Sequence, residues 1–223
     1  MTRPAGDAPG AVRRLPMFPL GTVLLPGSLL PLRLFEDRYL RMVEDLLAGD
    51  REFGVVLIRR GHEVGGGEER HDVGTRARVL EATRAPDGRW SVVAVGLQRL
   101  RVDAWLPDDP YPVADVQAWP DDRHGGPPVG AIDDLRRSVA LLLDGHRRLG
   151  DPVPSEESVD GWDLADDPAL ATFQLTGQTP LGTFDRQRLL EVRTAAGRAA
   201  ELGRLVDEAR EVVELRLAEG TGA

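Results

Sequence analysis

A chain of 223 residues is long enough to enclose a sizeable core and leaves room for two units. It contains no cysteine and no lysine, and all 28 basic residues are arginine. That excludes disulfides, thiolate metal sites, cysteine nucleophiles, Schiff-base lysines, Ser-Lys dyads and the lysine of a phosphate-binding loop. The formal charge of -9 falls mostly on residues 125–223, with 11 Arg against 18 acids, while residues 1–124 hold 17 Arg against 19 acids; neither half offers a basic stripe to a phosphate backbone.

Residues 1–14 have no apolar run behind their arginines, so they read as a disordered tail and not as a signal segment. No later stretch approaches the ~20 apolar residues of a membrane span, and a cytoplasmic protein is expected. From Leu15 to Leu47 the chain joins proline-broken apolar pieces to one amphipathic helix. Pro16, Pro19, Pro26 and Pro31 rule out a single long helix. The pattern predicts a strand, a tight turn at Pro26-Gly27, and a second strand through Leu34. Tyr39, Leu40, Val43, Leu46 and Leu47 then fall at helical spacing, with Gly49 as the stop.

Phe53 to Ile58 is a continuous apolar run, as in a buried strand. The stretch from Arg59 to Asp72, rich in glycine and charge, reads as an exposed loop. Val73 to Ala85 returns to strand character, Pro86-Asp87-Gly88 signals a hairpin turn, and Trp90 begins the return strand. Gly96 suggests a bulge or a close backbone approach. Leu100 to Leu106 alternates, and Tyr111 to Trp119 is a last strand. Many short strands with one early helix predict a small closed or nearly closed barrel over residues 15–120.

Residues 121–130 read as a linker. Over residues 131–218 the period is helical and predicts about four helices packed antiparallel, with 219–223 as a tail. The first helix carries Ile132, Leu135, Val139, Leu142 and Leu143. An acidic connector follows, expected to be solvated. Asp167-Pro168 starts the next helix, with Asp as cap and Pro in the first turn. Thr183 or Asp185 caps another, and the longest runs from Thr194 to Ala218.

The chemistry-bearing residues point away from catalysis. Gly65-Gly66-Gly67 lacks the strand, helix and Lys-Ser/Thr context of a phosphate loop. His62 and His71, with Glu63, Glu68, Glu69 and Asp72, sit on a glycine-rich segment that holds no fixed metal geometry. His124 and His146 read as surface residues, His146 at the negative end of its helix. None of Ser28, Ser91, Ser138, Ser155 and Ser158 lies in a nucleophile elbow. No cofactor is implied.

Phe35-Glu36-Asp37-Arg38-Tyr39 stands where apolar strand gives way to helix. Capping and core packing account for Glu36, Arg38 and Tyr39. The binding alternative has Leu34, Phe35 and the neighbouring prolines lining an exposed apolar groove. Trp105 falls on the polar-facing register of its strand and is expected to be available to a partner, whereas Trp90 and Trp119 are expected to pack.

Phe18-Pro19-Leu20 with Pro26-Gly27, Phe35-Glu36 with Arg38-Tyr39, Val73-Gly74-Thr75, and Asp87-Gly88 followed by Gly96-Leu97-Gln98-Arg99 recur in one family. From Leu15 to Leu217 the chain closely resembles the N-terminal, substrate-binding domain of Lon-type ATP-dependent proteases. The resemblance implies an α+β architecture: a PUA-like six-stranded pseudobarrel with one helix, then an all-helical subdomain. It also implies recognition of unfolded or exposed apolar protein segments, a protease or chaperone as associate, and self-association. Without lysine the chain has neither a Walker A lysine nor a Ser-Lys dyad, so the protease activity does not transfer. The expectation is a stand-alone, non-catalytic binding module, an adaptor or modulator of proteolysis. Its candidate peptide-binding residues are Leu34, Phe35, Glu36, Arg38, Tyr39 and Trp105. The alternative is a PUA-like nucleic-acid or small-ligand binding protein, against which the charge argues.

Overall fold

The computed structural model describes residues 11–60, 69–122, 126–153 and 162–220. The chain divides into two units, 1–120 and 121–223. The first holds β1 (Val12–Leu20), β2 (Leu29–Leu34), α1 (Asp37–Ala48), β3 (Glu52–Arg60), β4 (Glu69–Arg84), β5 (Trp90–Leu106) and β6 (Val113–Ala118). The strands are ordered β2-β5-β4-β3-β1-β6, and β6 also pairs with β5, which closes a ring. Closure is possible because β5 is 17 residues long. One of its edges pairs with β4. The other takes β2 along Trp90–Val95 and then β6 along Leu100–Leu106, end to end. This is the six-stranded pseudobarrel with one helix that the family resemblance implies.

Gly96 sits at the junction between β2 and β6. Its N–H donates to the Ser28 carbonyl and its own carbonyl accepts from Gly27 N–H, each at 2.9 Å. The turn Leu25-Pro26-Gly27-Ser28 therefore lies directly on β5. Gly27 adopts φ 82°, and Ser28 N–H donates back to Leu25 at 3.1 Å. Proline in second place and a left-handed glycine in third make this a type II turn. A Cβ at Gly96 would overlap the Leu25 carbonyl oxygen. The ladder slips there too, from Arg76 opposite Gln98 to Ala77 opposite Gly96, leaving Leu97 as a bulge.

Several sequence expectations change here. The tight turn at Pro26-Gly27 is present as expected, but the strands on either side of it do not pair with each other: β1 pairs with β3 and β6, and β2 pairs with β5. The β1–β3 pairing is parallel, a geometry that needs a long crossover, which β2 and α1 supply. Val12, Arg13 and Arg14 are strand and not tail, because Arg13 and Arg14 face Val116 and Asp115 of β6. Arg59, Arg60 and Glu69 to Asp72 are also strand, so the loop read at 59–72 is shorter. Its glycine run and His62 lie outside the described residues.

The first core gathers one face of β3 against α1. Phe53 and Val55 pack with Tyr39, Met42, Val43 and Leu46, which recur at helical spacing. The other face of β3 packs Val56 with Leu15, Met17, Leu100 and Val116. Beside it Glu52, 3% exposed, is ringed by Arg13 at 2.7 Å, Arg76 at 3.6 Å and Arg78. Burying a carboxylate away from such partners would be costly, and the three guanidiniums offset that cost.

The second unit holds α2 (Ala131–Leu149), α3 (Pro168–Gln178), α4 (Thr183–Glu191) and α5 (Ala195–Gly220). Asp167 caps α3 by accepting from Ala169 N–H at 3.1 Å, with Pro168 behind it. The cap of α4 is Gly182 instead of Thr183 or Asp185. The longest pair, α2 and α5, runs parallel and not antiparallel. Leu135 lies nearest Gly203, Val213 nearest Gly145, and Arg216 bonds Asp151 at 2.7 Å, so both helices advance together. The connector, α3 and α4 return the chain between them. That connector is not wholly solvated, since Trp162 is buried with Leu135, Leu142 and Leu175.

Arg198 is the largest fully buried side chain of this unit. It donates to both Asp121 oxygens at 2.6 and 3.2 Å, to Thr172 Oγ1 at 2.7 Å, and to the carbonyls of Ala169 and Val192 at 3.2 and 3.3 Å. Its guanidinium also lies 3.7 Å from the Phe173 ring centroid. Arg198→Ala removes both bonds to the Asp121 carboxylate together with those to Thr172, Ala169 and Val192, and is expected to cost about 3–5 kcal/mol of unfolding free energy. Gly96→Ala must push the Leu25 turn off β5, at about 2 kcal/mol or more. Urea denaturation of each variant checks both.

Candidate functional site

Where β2 ends, the chain passes through Phe35 and Glu36 into α1. Glu36 occupies the N-cap position but makes no side-chain cap. Its carboxylate instead accepts from Arg38 Nε at 3.1 Å. Arg38 also lies over the Tyr39 ring, 4.5 Å from its centroid, within cation–π range. Tyr39 turns into the core and meets Phe18 with ring centroids 4.3 Å apart and planes inclined at 51°. The strand-to-helix junction is thereby fixed by two aromatic rings and one ion pair.

An apolar cleft of about 220 Å³ opens above these rings. Its floor is Phe18, Leu34 and Tyr39, all buried. Its walls are Pro19 and Leu20 at the end of β1, and Pro31, Leu32, Arg33 and Phe35 on the β2 side. Phe35 is 61% exposed, a large apolar ring held in water at the rim.

Of the residues nominated from sequence, Leu34, Phe35, Glu36 and Tyr39 line this one cleft, and Arg38, in the first turn of α1, braces it through Glu36 and the Tyr39 ring. Trp105 does not belong to it. It packs against the Leu15–Leu100 cluster, partly buried, beneath the Arg70 guanidinium at 4.3 Å. The reason is a bulge: between Val102 and Ala104 the β5–β6 register shifts, which turns Trp105 from the polar face to the core face opposite Ala114. Arg33 escaped the sequence nomination, although its spacing from Phe35 in LLPLRLF already places both on one strand face.

Among the described residues, no group of three or more His, Asp or Glu is placed to hold a metal ion. No described helix is long and apolar enough to cross a membrane.

A strand ring carrying an apolar cleft, followed by four helices among the described residues, defines a two-part domain, and comparison with known proteins gives its family. Residues 14–208 match the model of the ATP-dependent protease La (LON) substrate-binding domain, and the chain belongs to that family. It is 30% identical over 208 residues to Lon protease 2 of Herpetosiphon aurantiacus, a match covering 90% of this chain and 24% of that protein. It is 27% identical over 206 residues to the Lon protease of Flavobacterium johnsoniae, covering 91% and 25%. The chain thus spans about a quarter of the length of the curated relatives it matches. Among solved structures, the Lon N-terminal domain protein from Xanthomonas campestris aligns with a TM-score of 0.61 at 28% identity, covering 85% of this chain and 96% of that one. The N-terminal domain of Mycobacterium avium complex Lon protease shares the fold at 18% identity, with a TM-score of 0.63 over 87% of this chain and 98% of its own.

The exposed and buried rings at the cleft separate by stability. Phe35→Ala is expected to shift unfolding free energy by less than about 0.5 kcal/mol. Tyr39→Ala empties a core site and is expected to cost about 3–5 kcal/mol. Chemical denaturation followed by circular dichroism distinguishes the two.

Proposed function

We propose that this chain is a non-catalytic module that binds unfolded or exposed apolar segments of other proteins in the cleft beneath Phe35, and that it serves a protease as adaptor or modulator in the cytoplasm. One observation carries the reading: a family member in which an apolar cleft with a rigid aromatic floor keeps an exposed phenylalanine at its rim. A surface aromatic in a preformed depression is what association energies concentrate on. The chemistry agrees, since the 223 residues contain neither the lysine of an ATP-binding loop nor that of a Ser-Lys dyad. Unfolded clients lose ordering entropy when they dock, so the affinity should be modest.

Binding of a permanently unfolded, fluorescently labelled polypeptide tests this. Phe35→Ala is expected to weaken it about tenfold while the fold survives. Trp105→Ala, remote from the cleft lining, should leave affinity unchanged. A folded Phe35→Ala variant that binds as tightly as the native chain removes the cleft from consideration.

A further inference from the structure

We infer that the cleft takes its polypeptide as an added strand on the open edge of β2, and that Arg33 selects segments bearing an acidic side chain among their apolar residues. This rests on the proposed peptide-binding function and specifies its chemistry.

The edge comes first. β2 pairs with β5 alone, and no described strand pairs along its other side. Ser28 turns its carbonyl toward β5, where Gly96 N–H donates to it. Backbone groups alternate along an antiparallel strand, so Leu30, Leu32 and Leu34 serve β5. Leu29, Pro31 and Arg33 present theirs to the open side. That edge offers N–H groups from Leu29 and Arg33 and carbonyls from all three. Pro31 withholds its donor on the open side of an edge strand, where proline is tolerated.

The face comes second. Leu30 and Leu34 are buried, while Leu29, Pro31, Arg33 and Phe35 are exposed. A water-facing strand row is normally polar; here three of its four residues are apolar. Val93 and Val95, opposite Pro31 and Leu29, are only half-buried and widen the patch.

Charge decides the occupant. Glu36, the carboxylate at the cleft rim, is engaged by Arg38. Arg33 lines the cleft and makes no ion pair with any described residue, although the chain carries a net charge of -9. Among the described residues that line the cleft, the charge left without an ion pair is the Arg33 guanidinium, whose complement is a carboxylate. In an added strand side chains alternate, so a Glu or Asp facing Arg33 lies two residues from the apolar group facing Phe35. A second copy paired edge to edge would bring two such cations onto one short ladder with no carboxylate between them.

The probe is an acetylated and amidated octapeptide of alternating valine and threonine with one central glutamate, compared with its glutamine counterpart. The glutamate form is expected to bind about threefold more tightly at low salt, and Arg33→Gln should abolish the difference. Arg33 is exposed, so this variant keeps the fold. With peptide bound, the amides of Leu29 and Arg33 should exchange with solvent about tenfold more slowly by NMR. Equal affinity for the two peptides, or unchanged exchange at Leu29 and Arg33, overturns the inference. If Phe35→Ala still weakens both peptides, the cleft reading stands without it. Failure of both peptides and of the unfolded polypeptide to bind removes both. A dimer in sedimentation that protects Leu29 and Arg33 without peptide, and that Phe35→Ala dissociates, assigns the edge to a second copy and also overturns the inference.

Discussion

One edge of β5 has to serve two strands in succession, and the first unit is arranged around that division. Gly96 marks the handover. The turn that delivers β2 rests on its backbone, and only a residue without a side chain permits the approach. Because β6 takes over the edge at Leu100, β2 is short and lies outside the closed ring. It is held along one side only, and the chain must leave it at once into α1. The exposed ring of Phe35, the ion pair of Glu36 with Arg38, and the buried ring of Tyr39 all follow from that abrupt exit.

A chain whose only strong cation is arginine uses the planar guanidinium where a lysine ammonium would serve poorly. Glu52 sits among three arginines beside the second core of the strand unit. Arg198 engages both oxygens of Asp121, one hydroxyl, two carbonyls and a ring face in the helical unit. Five fixed donors in one plane make that convergence possible, and three rotating donors on an ammonium do not reproduce it. Asp121 is the first residue of the helical unit, so Arg198 ties the start of that unit to α3 and α5.

The sequence was most legible where a local rule governs. The 3.6-residue period of α1, the Asp167-Pro168 start of α3, and the Pro86-Asp87-Gly88 turn, where Gly88 adopts φ 86°, all depend on residues close in the chain. It was least legible where partners are distant. Nothing in Leu15 to Leu34 says that β1 pairs in parallel with β3 while β2 crosses to β5. Alternation alone puts Trp105 on the polar face, but a bulge two residues earlier turns it to the core face. Short loops predict antiparallel helices, but the connector and two short helices let α2 and α5 run the same way. Within the cleft, Phe35 was readable from its position between strand and helix. The contributions of Phe18 and Leu20 required knowing that the end of β1 lies opposite β2.

Pro31 gives the open strand a further property. An exposed, largely apolar edge invites stacking of one molecule on the next, the route by which sheets grow into fibres. A proline in the middle of the row interrupts the line of donors, and a cation two residues on repels its own copy. The same six residues that leave a strand edge available to other chains thus carry their own safeguard against self-assembly. Replacing Pro31 with valine would restore a continuous row of donors and make the edge more prone to aggregate.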